Sequence, residues 1–285
     1  MSTIRGMTHS ELRTLVDWAG REGWNPGRND ADLFWELDPD GFLALEIDGR
    51  LAGGGAIIRY DERFGFMGLF LVDPAHRGRK LGTELWYARR DRLLARMRPG
   101  AAIGLDAVDA MIPFYERGGF QAHYRHRRFE VPAAAGKAPP ADANVVELSR
   151  VPWPQVTELD RRGFPADRSR FLQAWVRQPG ATSLGLVEGD RLRGYGTLRP
   201  CRTGWKVGPL RAEDRDSAER LLRRFRQIAG EDPLTVDLPD NNPAAVSLAR
   251  DLGMREVFGC VRMYYGPAPR IHDSQVFGVA TLEVG

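Results

Sequence analysis

The sequence predicts an α/β protein, more narrowly an α+β arrangement of two similar domains in tandem, each built on a mixed sheet flanked by helices. Three observations predict it. A proline- and alanine-rich stretch, VPAAAGKAPPADAN over 131–144, has linker composition and divides the chain near its middle. The same order of elements can be read on either side: a short strand, one or two helices, a hairpin pair, a third strand, a helix, a strand, a helix and closing strands. Short segments also repeat, with RLAGGG at 50–55 resembling RLRGYG at 191–196, and Gly118-Gly119-Phe120 resembling Leu252-Gly253-Met254. We therefore expect a first domain over 1–132, a linker over 133–144 and a second domain over 145–285.

The first helix opens on a capping box of Thr8 and Glu11, and Leu12, Leu15, Val16 and Ala19 follow at helical spacing. Residues 42–47 read as a strand, Asp48-Gly49 as its hairpin turn, and 50–60 as the returning strand. Residues 64–72 are apolar at nearly every position, as a strand buried on both faces requires, and Pro74 ends them. Leu81, Leu85 and Ala88 begin a helix, 102–108 is a further strand, and Pro113 sits where the first turn of a helix tolerates proline. In the second half the helix over 214–229 places Ala218, Leu221, Leu222, Phe225 and Ala229 on one face, which leaves Arg223, Arg224 and Arg226 for the solvated one.

A chain of 285 residues with 42% hydrophobic and 28% charged residues has the composition of a globular protein with real cores. The formal net charge of +3 is too small for a nucleic-acid partner to be read from charge. Cys201 and Cys260 cannot build a disulfide framework and lie in no zinc-type spacing, which fits a reducing cytoplasm. Residues 1–21 carry Glu11 and Asp17 within their helical stretch, so neither a signal peptide nor a membrane span is expected there.

The chemistry concentrates where the central strand of the first half runs into a basic loop and then a helix: Phe70-Leu71-Val72-Asp73-Pro74-Ala75-His76-Arg77-Gly78-Arg79-Lys80-Leu81-Gly82-Thr83. Unpaired N–H groups and the positive dipole end at a helix N-terminus attract a pyrophosphate, and glycines let the backbone approach it. Arg77, Arg79 and Lys80 add cations at that point. A solvated basic turn is the ordinary account of such a string, but strand, loop and helix stand here in the required order.

The stretch resembles the cofactor loop of the GNAT acetyltransferase superfamily, whose pattern is Arg or Gln, two residues, Gly, one residue, then Gly or Ala. Arg77 and Gly82 match its ends, and Lys80 takes the middle glycine position. Phe114-Tyr115-Glu116-Arg117-Gly118-Gly119-Phe120 resembles the aromatic-Tyr-Glu-x-x-Gly-Phe signature of the same family. Departing from the pattern, Val108 replaces its usual Asn and Met111 its Ala. The whole chain is similar to tandem bacterial GNAT proteins, with supporting segments at 22–27, Asp106, Arg199-Pro200 and 206–210. The resemblance implies two tandem GNAT folds, each a central, mostly antiparallel twisted sheet flanked by helices. It implies that acetyl-CoA is the acyl donor, bound by the backbone of Phe70, Leu71 and Val72 and by the loop Arg77, Gly78, Arg79, Lys80, Leu81, Gly82 and Thr83. It implies also that Tyr115 protonates the departing thiolate.

In the second half the counterpart of the loop, 211–216, lacks glycine and carries three carboxylates, and Ala249 stands where Tyr115 does, although Asn242 and Ala245 are kept. We expect it to have lost its cofactor site and to shape the acceptor pocket. Asp106 is a candidate to accept the amine's proton or to orient the acceptor. Trp24 and Asn25 form either the acceptor mouth or a helix-end turn. Arg199, Trp205 and Lys206 are acceptor candidates beside the alternative of ordinary strand-edge residues. His123 and His126, and the run Arg125, Arg127 and Arg128, read as surface residues, and no metal is expected. The resulting expectation is an N-acetyltransferase acting on a small amine by direct transfer, with an acyl-CoA sensor and a protein N-acetyltransferase as rivals. Neither membrane nor nucleic acid is an expected partner, and a homodimer is left open.

Overall fold

The computed structural model describes residues 2–133 and 142–285, so most of the expected linker lies outside the described residues. The first half runs β1 (Ser2–Gly6), α1 (His9–Arg21), α2 (Asp30–Leu37), β2 (Phe42–Ile47), β3 (Arg50–Arg59), β4 (Phe64–Val72), α3 (Leu81–Leu94), β5 (Ala102–Ala107), α4 (Ile112–Arg117) and β6 (Gln121–Val131). The second repeats it: β7 (Val145–Glu147), α5 (Trp153–Arg162), α6 (Ser169–Val176), β8 (Thr182–Glu188), β9 (Arg191–Pro200), β10 (Trp205–Ala212), α7 (Arg215–Ala229), β11 (Leu234–Pro239), α8 (Pro243–Asp251) and β12 (Arg255–Tyr265). A last short strand, β13 (Val276–Gly278), follows.

Local signals act where they were read. Thr8 and Glu11 close the capping box, with the Thr8 N–H donating to Glu11 Oε2 at 2.8 Å and the Glu11 N–H donating to Thr8 Oγ1 at 3.3 Å. Asp48 and Gly49 take φ of 48° and 77°, the two left-handed residues of a tight hairpin. Asn242 caps α8, accepting from the N–H groups of Ala244 and Ala245.

The two halves do not close on themselves. The strand order is β1-β2-β3-β4-β5-β12-β6-β11-β10-β9-β8-β7. The closing strand of each half is thus inserted into the other's sheet: β12 pairs with β5 from Val261↔Ala107 to Tyr265↔Ile103, and β6 pairs with β11 from Leu234↔Val131 to Pro239↔His126. The expected division at residue 132 therefore cuts one continuous sheet, because closing-strand exchange is a long-range pairing that leaves no mark on composition. Helices seal the junction, with Phe164, Phe171 and Trp175 of the second half in one apolar cluster with Leu12, Leu15 and Phe34 of the first.

Exchange also buries charge. Arg128 on β6 donates to both oxygens of Asp237 on β11, at 2.6 and 2.8 Å, and Lys206 on β10 lies 3.5 Å from the same carboxylate. Burial alone would push the Asp237 carboxyl up, but Arg128 and Lys206 outweigh it and hold the group well below the usual carboxylate range. Arg128 and His126 are correspondingly buried, not surface residues as the sequence suggested, since β6 is covered on both edges. Arg226 is likewise buried, its guanidinium satisfying the carbonyls of Val131, Gly230 and Asp232.

Asp237→Asn should strand two buried cations and cost about 3–5 kcal/mol at neutral pH. An unfolded Asp takes up its proton near pH 4 while the folded one resists, so the wild type loses this stabilisation as pH falls. Urea unfolding at pH 7 and at pH 3 should show the gap between wild type and variant narrowing at the lower pH.

Candidate functional site

A cleft of about 570 Å³ opens beside β4 in the first half. It exists because β4 and β5 are paired in parallel only from Phe64↔Ala102 to Phe66↔Gly104 and then part. On its other edge β4 carries a bulge: Gly54 faces Leu71 and Ala56 faces Gly68, so Leu69 and Phe70 stand opposite the single residue Gly55. Leu69 takes φ of 47°, uncommon for a leucine, and the bulge turns backbone out of the ladder beside the cleft. Phe70, Leu71 and Val72 line it.

The basic loop forms the mouth. Asp73 accepts from the Ala75 N–H at 2.8 Å, and Arg77 is held by Glu22 Oε1 at 2.5 Å and by the Val72 carbonyl at 2.9 Å. Gly78 and Lys80 have φ of 76° and 64°. The family's glycine thus has a backbone reason, and Lys80 adopts a left-handed conformation that costs a non-glycine residue about 1–2 kcal/mol. Arg77, Gly78, Lys80, Gly82 and Thr83 line the cleft. Arg79 instead points its guanidinium to His76 Nδ1 at 3.2 Å, and Leu81 packs in the core beside Leu85 and Trp86. At Gly82 a Cβ would meet nothing nearer than 3.5 Å, so the protein itself leaves room over the first turn of α3. These features fit the pyrophosphate and arm of an acyl-CoA.

At the inner end stands Tyr115 on α4, framed by Trp86, Phe114 and Phe120. Burial pushes its phenol up to about 12, with the nearby Arg89 charge pulling the other way. Asp106 also lines the cleft, yet both its oxygens are taken: Arg262 donates at 2.9 and 2.8 Å, and His126 Nδ1 lies 2.9 Å from Oδ1. Burial would raise its pKa, but Arg262 and His126 hold it far below the usual range, which makes it a poor proton acceptor. Asp106, His126 and Cys260 place one ligand atom each within 4.8 Å of one another. A metal there would have to compete with the Arg262 guanidinium for the carboxylate.

The acceptor candidates scatter. Trp24 lines the cleft, and its carbonyl accepts from Arg128 at 2.9 Å. Asn25 does not line it; it bonds the backbone of Thr203 through both ends of its amide. Arg199 is fully buried at the junction on Asp30 at 2.7 Å, Trp205 donates to Asp232 at 3.1 Å, and Lys206 lies behind Arg128 on Asp237. The hairpin that carries these three, read as acceptor candidates or ordinary strand-edge residues, lies against the loop over 25–30 and not on the cleft. Residues that sequence reasoning missed complete the wall: Phe258 and Cys260 of β12, and Leu282 and Glu283 of the C-terminal tail. Only the exchange and the fold of the tail bring them there, and neither has a local signature.

In the second half the corresponding gap between β10 and β11, paired only from Trp205↔Leu234 to Val207↔Val236, is filled by β13, which pairs with β10. The tail then crosses to the first half, where Val284 accepts from the Tyr60 hydroxyl at 2.8 Å.

A splayed sheet, a bulged central strand and an anion-binding loop define an acyl-CoA-dependent transferase. Family models agree: residues 9–120 match the acetyltransferase (GNAT) family and residues 156–278 an acetyltransferase (GNAT) domain. The chain belongs to the GNAT superfamily as a tandem protein, and it is an acyltransferase. It is similar to the holothin acyltransferase of a Pseudoalteromonas species, with 24% identity over 99% of this chain and 94% of that one. Its fold resembles a putative acetyltransferase from Pyrococcus horikoshii, at a TM-score of 0.84 and 25% identity over 100% of this chain and 96% of that one. It also resembles a tandem GNAT protein from the clavulanic acid biosynthesis pathway, at a TM-score of 0.66 and 15% identity over 94% and 100% of the two chains. Among the described residues no helix is long and apolar enough to cross a membrane.

Calorimetry should find one acyl-CoA site per chain, because the second gap is filled by the chain itself. Lys80→Glu should weaken CoA more than a phosphate-free pantetheine analogue, and equal losses would place Lys80 away from the phosphates.

Proposed function

We propose that the first half binds acetyl-CoA and transfers its acetyl group directly to a small amine, in the cytoplasm, with the second half supplying the acceptor side of the cleft. The observation that carries this reading is the single cleft into which the loop, the β4 bulge and Tyr115 all open. Arg77, Lys80 and the first turn of α3 hold the pyrophosphate, and the exposed backbone at Leu69 and Phe70 polarises the thioester carbonyl. The amine attacks only as the neutral form. Glu283 lines the cleft without an ion-pair partner among the described residues, its carboxylate accepting from the Thr281 hydroxyl, and it is our candidate to receive the ammonium and its proton. Asp106 becomes a positioning residue that fixes Arg262 and His126. As the new N–C bond forms and the C–S bond breaks, Tyr115 gives its proton to sulfur, and the proton shed by the amide nitrogen replaces it.

Trp24, Phe258, Leu282 and Glu283 crowd the acceptor side, which favours a small molecule over a peptide. The relative named for holothin agrees in kind with such an acceptor. One chain supplies every part of this site, so the reaction asks for no partner subunit.

A screen of amines, amino acids and aminoglycosides for thiol release tests the reading; binding of acetyl-CoA with no release for any amine would turn it into a sensor. Tyr115→Phe should lower kcat by about 10²-fold to 10⁴-fold with little change in acetyl-CoA affinity. Glu283→Gln should raise the acceptor's KM about tenfold while acetyl-CoA affinity stays constant, and an unchanged KM would take Glu283 out of acceptor binding.

A further inference from the structure

Arg89 is a buried charge that the steps above leave unused. It stands on the face of α3 turned to the sheet, is 1% exposed and lines the same cleft as Tyr115. Among the described residues no carboxylate pairs with it. Its Nη2 donates to the carbonyls of Ala56 at 2.6 Å and Gly68 at 2.7 Å, its guanidinium lies 4.9 Å from the Phe70 ring centroid, and its Nε has no partner. Ala56 and Gly68 are the residue pair that closes the β4 bulge on one side, so one guanidinium nitrogen ties both strands together at that rim. Gly55, opposite the bulge, leaves the space: a Cβ there would fall 2.5 Å from Arg89 Cζ.

A guanidinium stripped of water without a counter-ion is costly by several kcal/mol, and an aliphatic side chain would fill the same volume. The anion it awaits is not the pyrophosphate, which the loop holds at the cleft mouth. Beside Tyr115 the charge that forms is on sulfur, when the C–S bond breaks and its electron pair stays with the leaving group. We propose that Arg89 is a positioning residue that pins the β4 bulge and supplies the standing positive charge against which the CoA thiolate leaves. Arg89 keeps all its protons throughout, and Tyr115 remains the donor. The inference rests on the acyl-CoA orientation proposed above, with the thioester at the Tyr115 end.

Binding of CoA and of desulfo-CoA is compared by calorimetry between about pH 7 and 9, the range over which a free thiol begins to ionise. The wild type should favour CoA over desulfo-CoA increasingly as pH rises, by about sixfold across this range if a thiol that titrates near 8.5 when free is acidified by one unit on binding. Arg89→Met should flatten that preference, lower kcat about 10²-fold and leave desulfo-CoA affinity within about threefold. Arg89→Lys, which keeps the charge, should retain part of the pH dependence, a rescue that a purely structural role does not explain. If Arg89→Met loses desulfo-CoA binding, the Lys variant decides: a retained dependence supports the role and a flat one overturns it. A preference for CoA that rises equally in wild type and Arg89→Met also overturns it. The binding comparison needs no acceptor and decides the proposal without the kcat value, so failure to find an amine substrate does not change its outcome.

Discussion

Asp106 meets Arg262 across the step from β5 to β12, and Arg128 meets Asp237 across the step from β6 to β11, each pair nearly free of solvent. These are the two outer steps of the three that strand exchange creates, on either side of the β12–β6 pairing. Buried ion pairs add little net stability compared with an apolar packing of the same volume, but breaking one is expensive. Their effect here is on register. A slip of one residue would carry each charge to the other face of its strand and leave its partner alone. The two carboxylates thus tie the sheet to one alignment, and everything that lines the cleft from the second half inherits its position from that alignment. Phe258 and Cys260 reach the first half's site because β12 is held there.

The parts of the molecule legible in the sequence are those whose causes are local. The capping box of α1, the hairpin at Asp48-Gly49, the anion-binding loop and the Tyr115 helix each occupy a few consecutive residues with a recognisable spacing. Lys80 shows how far that goes: its place in the pattern was legible, but its left-handed φ was not. Arg128 and His126 read as surface groups because burial of β6 depends on pairing with strands more than a hundred residues away, and Arg226 did so because its guanidinium folds back onto the carbonyls of Val131, Gly230 and Asp232. Arg199 and Asn25 read either as acceptor contacts or as an ordinary strand edge and helix-end turn, and they join the halves, a role with no local signature. Arg89 did carry a signal. It continues the buried stripe of Leu81, Leu85, Trp86 and Leu93 along α3, a place where arginine is out of keeping unless something in the core uses it.

The two halves differ at the gap between the third and fourth strands of their common order. The second half has carboxylates where the first has its glycine-bearing turn, and β13 pairs with β10 where the first half has its open gap. Gly208 is packed tightly enough that a Cβ would lie 2.2 Å from the Val279 carbonyl oxygen. In the first half the same closeness is reached by the Glu283 carbonyl at Gly68, so one tail closes the gap of the second half and borders the cleft of the first.

A sheet that runs unbroken through both halves has mechanical consequences. Two-domain enzymes that close on their ligands bend at a few backbone positions between lobes, but here bending at the junction would tear the ladders β5-β12-β6-β11. The lobes must move as one body. The parts that can shift without breaking a ladder are the surface loop over 73–80 and side chains at the mouth such as Arg77 and Glu22, whose ion pair is exposed and therefore contributes little.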